Sequence, residues 1–181
     1  MSSSSLDYHT KLCYKLRVQA TYHGVQIVSS PDLSRAPFSD DELAAWHGML
    51  TLYSRVMRDL DRDLLASHQI SIREFDVLIT LANAPDRRLR MSDLAQRVML
   101  TPSGLTRLVE RLERARLVER QTDPSDARSF RAVLTDPGAQ RLEEARATHN
   151  AVIRVRVTDR LSVQELRELG AIWGKVLPDE H

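Results

Sequence analysis

From Ser39 onward the apolar positions of this chain fall at helical spacing. Leu43, Trp46, Leu50, Tyr53, Met57, Leu60 and Leu64 follow one another in alternating steps of three and four, the period of a seam between packed helices. The run opens at Ser39-Asp40-Asp41-Glu42, a capping-box pattern in which the Ser and the Glu each satisfy an orphan amide of the first turn. Ser71-Ile72-Arg73-Glu74 repeats that pattern and starts a second helix with Phe75, Leu78, Ile79 and Ala82 on one face, broken at Asn83-Ala84-Pro85-Asp86. Arg88-Leu89-Arg90-Met91 reads as a short strand. Ser92 is expected to cap a helix running to about Met99, with Leu94, Ala95 and Val98 inward.

Thr101-Pro102 is a strong start signal, because Thr caps and Pro at the first helical position gives up an amide that had no partner. The helix it opens is expected to reach about Arg116 on a buried stripe of Leu105, Leu108, Val109 and Leu112. Two alternating segments follow, Leu117–Gln121 and Phe130–Leu134, about the turn-rich Thr122-Asp123-Pro124-Ser125-Asp126. They predict a β-hairpin with Phe130, Ala132 and Leu134 on its inner side. Thr135-Asp136-Pro137 opens a long helix to about Arg160, and Ser162-Val163-Gln164-Glu165 is a third capping box. Its helix should turn Leu166, Leu169, Trp173, Val176 and Leu177 inward until Pro178 ends it.

The fold class that results is mainly α with a small β-wing. Residues 1–38 show no sustained period and read as a poorly ordered extension. Residues 39–70 form a long N-terminal helix, 71–134 a winged helix-turn-helix, and 135–181 the C-terminal helices. Apolar residues make up 42% of the 181, enough for a sizeable core. No run approaches the roughly 18 apolar residues of a membrane helix. Met1-Ser2-Ser3-Ser4-Ser5 lacks the charged-then-apolar order of a signal peptide. Cys13 is the sole cysteine, so no internal disulfide can form and a reducing, cytoplasmic setting is expected.

Net charge is only +1, but its distribution is uneven. Between Arg87 and Arg131, eleven Arg and six acids give a local +5, while the rest of the chain carries −4. A positive segment inside a mildly acidic protein steers toward phosphate. The helix from Pro102 carries Ser103, Thr106, Arg107, Glu110, Arg111 and Arg114 opposite its leucine stripe, the polar face that a helix entering the major groove must present. Its positive dipole end favours a phosphate near Thr101 and Ser103. Gly104 costs about 1 kcal/mol of helix stability relative to Ala and implies close approach to another surface. Arg111 and Arg114 could equally be solvated or paired with Glu110 and Glu113, and Asp126 could be a plain turn residue.

In these stretches the sequence resembles the multiple antibiotic resistance regulator (MarR) family. The matching residues are Met91-Ser92-Asp93-Leu94-Ala95, the run Ser103 to Glu113, and Asp126-Ala127-Arg128-Ser129 leading to Val133-Leu134-Thr135. The resemblance implies a sequence-specific double-stranded DNA-binding regulator that catalyses no reaction and needs no cofactor. Thr101, Ser103, Thr106, Arg107 and Arg111 would contact bases or phosphates, Arg128 would enter the adjacent minor groove, and Asp126 would hold the wing tip. It further implies a homodimer built from the first and last helices, an inverted-repeat operator and, more often than not, repression. A small aromatic or phenolic effector in a cleft beside the dimerisation helices would relieve it. Trp46, His47, Tyr53, Arg55 and Phe75 are the candidates for that cleft, although Trp46, Tyr53 and Phe75 lie on apolar stripes that core packing explains more simply.

Other readings have less support. Leu12-Cys13-Tyr14 bears a superficial likeness to the reactive-cysteine stretch of the peroxide-sensing branch, but Cys13 lies 58 residues before Ser71, too far upstream. No nearby pattern lowers its thiol pKa. His47, His68 and His149 are scattered without metal spacing. No phosphate loop or nucleophile elbow is present. A winged-helix module for protein contacts stays open at this point.

Overall fold

A computed structural model describes residues 37–177 except 124 and 125, with the side chains of Ala127 and Arg128 also outside the described set. The expectations for residues 1–36, including Cys13, lie outside the described residues. The element order is α1 (Asp40–His68), α2 (Ile72–Ala82), a 3-10 turn (Pro85–Arg87), β1 (Arg88–Arg90), α3 (Met91–Arg97), α4 (Pro102–Arg114), β2 (Val118–Asp123), β3 (Asp126–Leu134), α5 (Asp136–Arg156), a second 3-10 turn (Thr158–Arg160) and α6 (Val163–Val176). This is a mostly helical winged helix-turn-helix with one small antiparallel sheet.

Each Ser-x-x-Glu pattern forms a reciprocal capping box, at Ser39 with Glu42, Ser71 with Glu74 and Ser162 with Glu165. At Ser71 the backbone amide donates to Glu74 Oε2 at 2.7 Å and the Glu74 amide donates to Ser71 Oγ at 3.2 Å. Thr101 and Thr135 cap α4 and α5 by accepting from the amides of Gly104 and Gly138. Ser92 does not cap α3. That helix begins two residues earlier than a Ser92 cap would set it, at Met91, with Arg90 in the cap position and no side-chain cap bond, and the Ser92 hydroxyl turns to Asp93. Strand β1 takes Arg90 into extended pairing with Arg131, which moves the boundary upstream.

The sheet order is β1-β3-β2, with Leu89 opposite Ala132 and Val118 opposite Leu134. Its inner face joins Phe75, Leu78, Leu81, Leu94, Leu105, Val109, Leu112 and Leu142 in one buried cluster. Ala132 and Leu134 face this core, but Phe130 does not; it is 47% exposed. The alternation is right for the strand, and the hairpin simply projects beyond the core at that point. At Gly138 an added Cβ would sit 2.0 Å from the Leu117 carbonyl oxygen. Glycine is therefore what lets the first turn of α5 lie against the start of the wing.

Helix α1 divides into two halves. Leu60 and Leu64 are buried and Met57 packs against the core, whereas Trp46 (39%) and Tyr53 (59%) are exposed. Among the described residues, core packing therefore does not account for those two aromatics. Helix α6 departs further from expectation: none of its residues is buried, and Trp173, Val176 and Leu177 are exposed. The apolar stripes read from the sequence exist on both helices, but the described residues leave uncovered that of α6 and the part of α1's that holds Trp46 and Tyr53. The far end of α1 is fastened to α5, where Asp59 receives Arg62 Nη1 at 3.0 Å and Arg156 Nε at 2.7 Å. Helix α5 stops at Arg156, and the second 3-10 turn completes the expected run to Arg160.

Candidate nucleic-acid interface

Helix α4 is built to bury one side and offer the other. Leu105, Leu108, Val109 and Leu112 are all buried, so Ser103, Arg107, Glu110, Arg111 and Arg114 are carried to the opposite, exposed side. The Thr101 hydroxyl accepts from the Gly104 amide at 3.1 Å. A Cβ on residue 104 would stand 3.0 Å from that hydroxyl oxygen. The close approach that Gly104 permits is thus to its own helix cap. Thr106 spends its hydroxyl proton on the Pro102 carbonyl at 2.9 Å, leaving its oxygen lone pairs and methyl group for any outside partner.

The arginines of this helix have different fates. Arg107 is exposed and makes no hydrogen bond or ion pair among the described residues. Arg111, one turn on, has its Nε 3.2 Å from Glu74 Oε1 at the start of α2. Arg114 donates its Nε to the Glu110 carbonyl at 3.3 Å. Neither Arg111 nor Arg114 takes the Glu110 or Glu113 carboxylate that the sequence offered; Glu113 instead holds Arg120 of β2, Nε to Oε2 at 2.7 Å.

The wing stands beside this helix. Asp126 is exposed at the start of β3, and its carbonyl accepts from Ser129 Oγ at 3.1 Å. Arg128 belongs to β3, and its side chain lies outside the described residues. Between α4 and the wing runs a groove of about 510 Å³ lined by Arg90, Ser92, Thr106, Asp126, Ser129 and Phe130, among others. Arg90 on its lining is held from behind: the fully buried side chain of Asp123 accepts from Arg90 Nε at 2.7 Å and from Arg131 Nε and Nη2 at 3.0 and 3.2 Å. Donation to the Asp123 carboxylate holds the Arg131 guanidinium above its ordinary pKa.

Comparison with known proteins places this arrangement. A MarR family model matches residues 68–129. The chain is 30% identical to AbsC, a MarR family transcriptional regulator from Streptomyces coelicolor, over 78% of this chain and 95% of that one, with a TM-score of 0.71. It is 31% identical to Sco3205, a MarR family regulator of the same organism solved in complex with DNA, covering 82% and 95% with a TM-score of 0.74. The HTH-type transcriptional regulator PecS of Dickeya dadantii is 32% identical over 128 residues, 68% of this chain and 76% of its own.

The chain belongs to the MarR family of transcriptional regulators.

These relatives are regulators, and the MarR fold accounts for the helix-turn-helix, wing and long flanking helices together. Thr101, Ser103, Thr106 and Arg107 stand in the cap and first turns of α4, and Thr106 and Asp126 both line the wing groove. The five residues considered for an effector are not gathered in the same way. Trp46, His47, Tyr53 and Arg55 lie along the first half of α1. Phe75 is 2% exposed in the core, its ring stacked on His149 with centroids 4.6 Å apart. Neither the wing groove nor a second groove beside Pro85, Asp93 and Arg131 is lined by any of the five. Among the described residues no group of His, Cys, Asp and Glu could hold a metal, and no helix is long and apolar enough to cross a membrane.

Sequence reasoning missed the Arg90–Asp123–Arg131 cluster. Asp123 ends β2, although the sequence reads it as part of a turn, and its partners are 33 and 8 residues away. Only strand register brings them together, so no local spacing signalled it.

Proposed function

We propose that this MarR protein is a sequence-specific double-stranded DNA-binding repressor acting as a homodimer. The observation that carries the reading is Arg107, an exposed and unpartnered guanidinium on a helix whose opposite face is locked into the core. An arginine so placed is free to form the bidentate contact with guanine that discriminates base pairs in the major groove. Thr101 and Ser103, at the amino-terminal end of α4, supply hydroxyls where the helix dipole favours phosphate. Arg128 enters the neighbouring minor groove, most readily where an A·T-rich sequence narrows it, and Asp126 orders the wing tip.

The dimer is supported by the apolar residues that α1 and α6 leave uncovered, Trp46, Met49, Tyr53, Ile172, Trp173, Val176 and Leu177. Exposure of so many large apolar side chains on two helices is what a protein interface looks like without its partner. A symmetric pair places two copies of α4 about one helical turn apart, roughly 10 base pairs, on an inverted repeat. A small aromatic or phenolic effector, bound between the α1 side and the DNA-binding lobe, changes that spacing and relieves repression. Selection of bound duplexes from random DNA tests the proposal. An enriched inverted repeat with half-sites one turn apart is expected; no enrichment over input would instead favour a protein-interaction module.

A further inference from the structure

The groove between α4 and the wing is the place where a duplex backbone would run, and Arg90 lines it. Resting on the DNA-binding reading above, we infer that Asp123 is a specificity-determining positioning residue: it immobilises Arg90 and Arg131 at the edge of the DNA-binding face and cancels one of their two positive charges, so that they are held back from a sequence-independent grip on phosphate.

The geometry makes the restraint firm. The Asp123 side chain has no solvent exposure, while Arg90 and Arg131 are 49% and 31% exposed. The carboxylate is bidentate with Arg131 and takes the Nε of Arg90 on the Oδ2 that it shares with Arg131 Nε. A buried carboxylate is tolerable only with such donors around it, and ion pairs in a low-dielectric site are little screened by salt. Both guanidiniums are therefore committed before any DNA arrives. The register explains why all three meet: Arg90 pairs with Arg131, Arg131 pairs with Gln121, and Asp123 is two residues beyond Gln121 on the same strand.

Phosphate contacts carry affinity without sequence information, whereas base contacts carry the discrimination. An arginine-rich face thus gains selectivity if part of its charge is cancelled internally. Within this segment that cancellation leaves Arg107 unrestrained and ties down Arg90 and Arg131.

The test compares binding of full-length wild type and Asp123→Asn to two duplexes of equal length, one selected by the wild-type protein and one of random sequence. Asp123→Asn should bind the random duplex at least about threefold more tightly at low salt, with its log K against log salt slope steeper by about 0.9 for each phosphate gained. The ratio between the duplexes falls accordingly. Adding Arg90→Gln to Asp123→Asn should bring the slope back toward wild type. Equal weakening on both duplexes with an unchanged slope would overturn the inference, since a merely structural carboxylate behaves that way. Should Asp123→Asn not fold, Arg90→Gln alone decides: an unchanged random-duplex slope supports the inference, and one shallower by about 0.9 refutes it. Wild-type protein with no salt-sensitive binding to either duplex would sink the DNA-binding reading itself, whereas normal wild-type discrimination with an unaltered Asp123→Asn ratio sinks this inference alone.

Discussion

Arg111 on α4 reaches back to Glu74 at the start of α2, Nε to Oε1 at 3.2 Å, and the same Glu74 closes the capping box with Ser71. One carboxylate thereby ties the outward helix to the core helix behind it. Arg107, a turn earlier, has no such tether.

The contrast gives the first prediction. Arg107→Ala should cost about 1–3 kcal/mol of affinity for a selected site and relax preference at one base position. Arg111→Ala should weaken binding less and lower stability by no more than about 1 kcal/mol, as expected of a partly exposed ion pair. Fluorescence anisotropy with single-base variants of the site, beside thermal melts, separates the two. Equal effects on affinity would contradict the division of roles.

Met99, in the turn between α3 and α4, has φ of 50° and is 84% exposed. A left-handed backbone costs a non-glycine residue roughly 1–2 kcal/mol, and so exposed a side chain contributes little packing in return. Met99→Gly should therefore raise the melting temperature by about 1–4 °C, part of the gain being offset by the greater freedom of glycine in the unfolded chain. A lower melting temperature would show that Met99 makes a contact worth more than the strain.

Much of this was legible in the sequence, for a physical reason. Capping boxes and the Thr101-Pro102 start are local devices, complete within four residues, so Ser39, Ser71, Thr101, Thr135 and Ser162 all cap their helices as read. Ser92 failed because pairing of Arg90 with Arg131 across the sheet fixed the start of α3. Trp173 was placed on the right stripe and the wrong side of the protein surface, since periodicity reports that a face is apolar and not which chain covers it. The Asp123 cluster left no trace in local pattern because its members meet only through strand register. For the interface itself, the face of α4 was legible from the leucine stripe alone, but the difference between Arg107 and Arg111 depended on Glu74, 37 residues away.

The uncovered faces of α1 and α6 lead to a third prediction. Trp173→Asp puts a charge on the exposed side of α6 without touching the core, and sedimentation should show a shift from dimer toward monomer with the helical content retained. Met57→Asp is the less clean variant, because Met57 packs against the core. A Trp173→Asp protein that sediments as an intact dimer would remove α6 from the interface.

Asp76 on α2 gives a prediction in pH. Burial pushes its carboxyl above the usual range, with Arg73 and His149 partly opposing the shift. An acid whose folded pKa is raised costs stability while ionised, fully above the folded pKa and not at all below the unfolded value of 3.8. Asp76→Asn should accordingly melt at a higher temperature than wild type at neutral pH, with the advantage shrinking as pH falls toward 3.8. A variant less stable than wild type at neutral pH would mean that the ionised carboxylate is held by interactions stronger than its burial.

The central claim is that the outward face of α4, with Arg107 at its middle, docks on duplex DNA. Titration of a selected duplex with the wild-type protein across a range of salt concentrations tests it most directly. The account predicts a linear fall of log K with log salt whose slope corresponds to several phosphates, and a loss of preference for that duplex in Arg107→Ala. Affinity independent of salt, or a selected duplex held no better than a random one, would contradict it.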